Sequence, residues 1–159
     1  GVALITVSTA EEMRSAVKLE ADTSDVVIMA AAISDYRVEH ASETKIKKSD
    51  NGGALTLTLV ENPDILREIA GSKTPEQVII GFAAETVANQ TALIELALKK
   101  INTKGCHLLV ANNVDGGAVF GAEQNTVVIV DQNGQIAEST GSKTIVANAI
   151  LDVLALRLK

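Results

Sequence analysis

The sequence predicts a layered α/β fold with a mainly parallel sheet, and three observations carry that prediction. Short apolar runs alternate with capped or amphipathic helical stretches along the chain. Those runs are built from Val, Ile, Leu and Ala, while aromatic residues make up only 2% of the chain, a composition suited to strands covered on both faces. At 159 residues and 47% hydrophobic content, the length is that of one globular domain.

The elements follow in order. Val2 to Val7 reads as a short strand, and Thr9-Ala10-Glu11-Glu12 has the form of a capping box that opens a helix to about Ala21. Asp25 to Ala31 is the next strand, almost wholly apolar. The stretch from Asp35 to Asn51 is polar and without a period, but Leu55-Thr56-Leu57-Thr58-Leu59 alternates strictly, which predicts a strand buried on one face. With Gly52-Gly53 as the turn, Lys45 to Lys48 and Leu55 to Val60 are expected to form a protruding hairpin. Asn62 as cap and Pro63 at the first helical position predict a helix to about Ala70. Gln77 to Phe82 is an apolar strand; a helix from about Thr86 to Lys104 follows it and is ended by Gly105. His107 to Ala111 is a further strand. Val127 to Val130 and Gln135 to Glu138 read as a hairpin with an Asn-Gly turn at Asn133-Gly134, and a last helix runs from about Ser142 to Leu158.

Composition narrows the function classes. A formal net charge of −6 argues against binding nucleic acid or an anionic membrane through a global field. The single cysteine, Cys106, leaves no intrachain disulfide, and nothing approaches metal-ligand spacing. A reducing, cytoplasmic setting is the expectation. No apolar run reaches the roughly 20 residues that span a bilayer, and no basic-then-apolar signal peptide opens the chain.

Several residues could carry chemistry, and spacing alone leaves each with two readings. Asp35 lies just beyond a strand end, where an acid either holds ribose hydroxyls or caps local backbone. On an extended segment Lys45 and Lys47 would share a face, suited to polyphosphate or to protecting a sheet edge. Asn62-Pro63-Asp64 starts a helix whose free N–H groups favour an anion, although Asp64 opposes one. Phe82 could stack on a nucleobase or pack in the core. Lys100 and Lys104 share a helix face near its carboxyl end, where cations complement the dipole anyway. His40 and His107 have no partner at ligand spacing, Cys106 reads as an inert hydrophobe, and Gly116-Gly117 lacks the strand-to-helix setting of a dinucleotide loop.

In series, however, Ala30-Ala31-Ala32-Ile33-Ser34-Asp35-Tyr36-Arg37, Lys45-Ile46-Lys47-Lys48, Glu61-Asn62-Pro63-Asp64-Ile65-Leu66 and Gly81-Phe82-Ala83-Ala84-Glu85-Thr86 make almost the whole chain similar to the phosphopantothenate-cysteine ligase family of coenzyme A biosynthesis. The resemblance implies a Rossmann-like three-layer α/β fold. It also implies a reaction in which CTP activates phosphopantothenate as an acyl-cytidylate with release of pyrophosphate, and the amine of cysteine then displaces the nucleotide. Carried across, Ala30, Ala31 and Asp35 would hold the nucleoside, and Lys45 would face the reacting phosphates as the catalytic residue. Pro63, Asp64, Ile65 and Leu66 would line the nucleotide pocket, with Phe82 on the base side. Lys100 and Lys104 also match nucleotide contacts of the family, against the physical expectation that a helix leaving the carboxyl end of a strand finishes near the opposite sheet edge.

The resemblance further implies Mg2+ as companion of the triphosphate, a homodimer that uses the Lys45 and Leu55–Val60 hairpin, and in bacteria fusion to a flavin-dependent decarboxylase, which alone would bring FMN. Family members begin with a strand, a glycine-containing phosphate loop and a segment bearing an asparagine and an arginine. By that comparison the 159 residues correspond to the carboxyl-terminal portion of a ligase domain and are expected to be inactive by themselves. A nicotinamide-dependent oxidoreductase and a noncatalytic nucleotide-binding module stay open as alternatives. The absence of Gly-x-Gly-x-x-Gly weighs against the first.

Overall fold

The apolar runs become strands of one sheet because successive side chains alternate between two helical layers. The computed structural model describes residues 1–42, 44–47, 54–114 and 124–158. In chain order the elements are α1 (Ala10–Ala21), β1 (Val26–Met29), β2 (Tyr36–Val38), β3 (Leu59–Glu61), α2 (Ile65–Ser72), β4 (Val78–Glu85), α3 (Gln90–Lys104), β5 (Leu108–Asn113), β6 (Gln124–Asp131), β7 (Gly134–Ser142) and α4 (Lys143–Arg157). A five-stranded sheet has the order β1-β4-β5-β6-β7, and β2 pairs with β3 apart from it. β1, β4 and β5 are parallel; β6 runs against β5 and β7 against β6, so β7 again points with the parallel trio. This is the mainly parallel three-layer α/β arrangement that the sequence predicts.

Strand alternation builds both cores. Ile79, Leu109, Ala111, Val128 and Val130 face α1, α2 and α3, which contribute Ala21, Ile65, Ile69, Leu93, Ala97 and Ile101. Val78, Ile80, Leu108, Val110, Val127 and Ile129 face α4 and its Val146, Ile150 and Leu154. The buried polar group between α1 and β4, Gln77, is satisfied because its Nε2 donates to Ala21 O and Ser24 O, each at 2.7 Å.

The helix signals hold where the side chains are free to act locally. Thr9 caps α1 with a complete capping box, and Gly105 ends α3 with φ +75°. Ser142 caps α4. α3 starts later than expected because Asn89 supplies its cap, accepting from Ala92 N at 2.9 Å. α2 is displaced by two residues: Asp64, rather than Asn62, is its cap and accepts from Arg67 N at 3.1 Å. Asn62 is diverted because its side-chain amide donates to Ser34 O at 2.8 Å.

Other expectations are corrected. Val2 to Val7 joins no ladder among the described residues, and Val2 and Leu4 are exposed. Without a strand alongside, the apolar run has nothing to pair with. The hairpin partner of Leu59–Glu61 is Tyr36–Val38, in the register Tyr36↔Glu61, and not the lysine segment. Lys45 to Lys47 is exposed and outside any strand, while Lys48, Gly52, Gly53, Gly116 and Gly117 lie outside the described residues. Leu55, Leu57 and Leu59 are 54%, 55% and 55% exposed, so the alternating face is not buried among the described residues. Phe82 does not end its strand, since β4 runs on to Glu85. In the β6–β7 turn the positive φ falls on Gly134, at 147°, and not on Asn133, whose N–H is held by Asp131 Oδ1 at 2.8 Å.

Candidate functional site

Three local decisions of the chain bring polar groups together over the α2–α3 face of the sheet. β1 ends at Met29, and the small residues after it let the backbone turn away from the sheet toward Ser34 and Asp35. β3 then returns antiparallel to β2, so Asn62 N donates to Asp35 O at 2.8 Å, and the chain enters α2 directly beside the strand end it left. Gly81 on β4 admits Leu66 of α2: a Cβ at that position would stand 2.5 Å from Leu66 Cδ2 and 3.0 Å from Leu109 Cδ1. Between these walls lies a cavity of about 590 Å³, bounded by Ala31 to Tyr36, Glu61 to Leu66, Phe82 to Ala84, Lys100 and Lys104.

The cavity therefore collects Ala31, Asp35, Pro63, Asp64, Ile65, Leu66, Phe82, Lys100 and Lys104. Ala30 and Lys45 are exposed and are not among its lining residues. Phe82 borders it while also packing, half-buried, against the α4-side cluster, so its two readings are both realised in part.

The expectation that Lys100 and Lys104 lie too far away is overturned. Lys73 Nζ donates to Ala70 O at 2.8 Å and to Gly105 O at 2.9 Å, pinning the carboxyl ends of α2 and α3 together. Helices rise about 1.5 Å per residue, so the 8-residue α2 begins only part way up the 15-residue α3. Its cap, Asp64, then meets the last turns of α3.

Both lysines of the cavity are already paired with carboxylates. Lys104 Nζ donates to Asp64 Oδ2 at 2.5 Å, and Lys100 pairs with Glu85, whose side chain is 15% exposed at the end of β4. Arg37 engages neutral acceptors, with Nη1 donating to Glu61 O at 2.6 Å and Asn62 Oδ1 at 3.4 Å. On these two lysines an anion binds by exchange, a phosphate replacing the carboxylate. The roles of Glu85 and Asn62 are absent from the sequence reading. A signal existed for Glu85, an acid closing a long apolar run; for Asn62 the cap position masked it.

Two groups outside the cavity have shifted titration. Burial pushes the Cys106 thiol up, which keeps it protonated and inert. His107 is pushed below the ordinary histidine value, first by burial and then by the charges of Lys73 and Arg157. Its Nδ1 accepts from Ile79 N at 3.0 Å while its own N–H donates to Ile79 O at 2.8 Å, tying β5 to β4. Among the described residues no group of three or more His, Cys, Asp or Glu could hold a metal ion, and no helix is long and apolar enough to cross a membrane.

A polar cavity at the strand ends of a parallel sheet is where open α/β domains bind their ligands, and residues 1–157 match the DNA/pantothenate metabolism flavoprotein C-terminal domain family. The chain belongs to that family. It is 36% identical over 160 residues to the coenzyme A biosynthesis bifunctional protein CoaBC of Mycobacterium tuberculosis strain H37Rv, covering 97% of this chain and 38% of that protein. It is 42% identical over 135 residues to CoaBC of Bacillus subtilis strain 168, covering 84% and 32%. The chain thus spans well under half the length of these curated relatives. Among solved structures, the C-terminal domain of a CoaBC superposes with a TM-score of 0.71 at 31% identity, covering 97% of this chain and 67% of that one. A Cab2 mutant in complex with phosphopantothenate-cysteine superposes with the same TM-score of 0.71 at 20% identity, covering 96% and 51%; it shares the fold.

Proposed function

We propose that this chain forms the nucleotide side of a phosphopantothenate-cysteine ligase that uses CTP. The observation that carries the reading is the meeting of Asp35, Pro63 to Leu66, Phe82, Lys100 and Lys104 around one cavity, although they come from separate parts of the sequence. In the reaction the carboxylate of phosphopantothenate attacks the α-phosphorus of CTP; the new acyl–phosphate bond forms as the bond to pyrophosphate breaks. The amine of cysteine then attacks the acyl carbon, CMP leaves with the bonding electrons, and the amine loses a proton. The nucleophiles come from the substrates, so the protein's contribution is to position and neutralise. Asp35 would hold the ribose, Phe82 the base, and Lys100 and Lys104 the phosphates.

Lys45 is assigned the reacting phosphates and the acyl phosphate. It stands outside the cavity, so its role requires the exposed segment that bears it to approach the bound nucleotide. Lys45→Gln should abolish acyl-cytidylate formation while leaving the fold intact. Mg2+ would arrive with the triphosphate: Asp64 is already engaged by Lys104, and Glu85 by Lys100, which does not fit a resident metal. The exposed Leu55, Leu57 and Leu59 suit a homodimer contact, tested by sedimentation of the native chain against Leu57→Lys. Phosphopantothenate and cysteine are the other substrates, the cytoplasm is the compartment, and the bifunctional relatives support fusion to a flavin-dependent decarboxylase.

Calorimetry with CTP, ATP and NADPH tests the reading. Preference for CTP is the expected result; preference for NADPH moves the chain to the nicotinamide oxidoreductases, and no nucleotide binding at all overturns the assignment.

A further inference from the structure

The geometry points to Asn62 as a positioning residue for the nucleotide, an inference that rests on the function proposed above. Asn62 is half-buried where the two walls of the cavity meet. Its side-chain Nδ2 donates to Ser34 O at 2.8 Å and its backbone N to Asp35 O at 2.8 Å. Its Oδ1 accepts from Arg37 Nη1 at 3.4 Å. One residue thus fixes two successive carbonyls of the opposite wall and steadies the arginine beside them.

That double tie has a directional consequence. No peptide bond in the described chain is cis, and in a trans peptide the N–H points opposite to the C=O of the same unit. With the carbonyls of Ser34 and Asp35 both drawn to Asn62, the N–H groups of Asp35 and Tyr36 both point away from it. Successive N–H groups turned to one side make an anion-accepting pair, and both residues line the cavity. Asn62 therefore fixes the orientation of both peptide units at the start of β2, Ser34–Asp35 and Asp35–Tyr36, and sets the spacing between the Asp35 wall and the Asp64 wall. Its cost is visible in α2, which gives up its asparagine cap and uses Asp64 instead.

The test is CTP calorimetry on the wild type, Asn62→Ala, Asn62→Asp and Ile150→Val, with a thermal melt of each. Asn62→Asp keeps an acceptor for Arg37 but lacks the donor to Ser34; Asn62→Ala lacks both. Ile150 is buried between α4, which carries it, and the other face of the sheet, so its variant controls for lost stability alone. Both Asn62 variants should bind CTP about three- to tenfold more weakly, the range expected for the loss of one hydrogen bond. Ile150→Val should keep the wild-type Kd despite a lower melting temperature. Unchanged Kd in both Asn62 variants, or equal weakening in Ile150→Val, overturns the role. A wild type that binds no nucleotide overturns the functional reading instead. Hydrogen exchange on the wild type needs no variant: bound CTP should slow exchange across Ser34 to Arg37, and unchanged exchange there with CTP bound also defeats the proposal.

Discussion

Asp64 does two jobs with its two oxygens, one capping α2 through Arg67 N and the other holding Lys104. The substitution Asp64→Asn separates them, since asparagine caps as well as aspartate but leaves Lys104 without its counterion. Stability should change by less than about 0.5 kcal/mol, while CTP binding tightens by up to about fivefold, the range of a partly exposed ion pair. Lys104→Gln should move binding the other way, and calorimetry on the two variants reads both signs. His107 makes a second prediction at this scale. Its pKa lies below the ordinary 6.5 in the folded chain, so the unfolded chain binds the proton first as pH falls. The stabilisation from His107 is complete above pH 6.5 and is lost as pH drops from there through the folded value. Urea midpoints at pH 7.5 and 5.5 should show a loss that is smaller in His107→Asn, which keeps an acceptor and cannot titrate.

At the scale of elements, the α2–α3 junction is the joint on which the cavity depends. Gly105 holds the left-handed conformation at φ +75°, and Lys73 bonds its carbonyl. A Cβ there meets nothing closer than Ala70 Cβ at 3.8 Å, so Gly105→Ala tests backbone conformation alone and should cost about 1–2 kcal/mol in a denaturant titration. The elements most legible in the sequence were those settled by neighbours in the chain: the capping box of Thr9 and Glu12, the Gly105 stop, and the uninterrupted apolar runs of β4 and β5. Elements that depend on remote partners read less well. Val2 to Val7 is strand-like in pattern yet needs a neighbouring strand, and the Leu55 to Leu59 alternation marks a face whose cover lies elsewhere. Asn62 is a good cap by residue type, but Ser34, 28 positions away, competes for its amide.

On the scale of the whole molecule, the sheet order was legible only in outline. Strand and helix alternation indicated the parallel trio, whereas the antiparallel return of β6 and β7 to the edge was visible as a hairpin and not as a continuation of the same sheet. The site was legible as a set of segments but not as a geometry. Its lysines were misplaced because the short length of α2 relative to α3 matters only once their carboxyl ends are joined. The neutralised state of those lysines reaches beyond equilibrium. With Lys100 and Lys104 already paired and a net charge of −6 over the chain, a triphosphate meets a repulsive field on approach and no long-range steering. Salt shortens that repulsion to about 10 Å at 0.1 M, so stopped-flow association of CTP should accelerate as ionic strength rises, the reverse of a steered encounter. A rate that falls with salt would mean that free cations outside the cavity capture the ligand first. On the proposed function, each of the two lysines must release its carboxylate before it takes a phosphate, so arrival of the nucleotide is expected to be a slow, salt-assisted displacement.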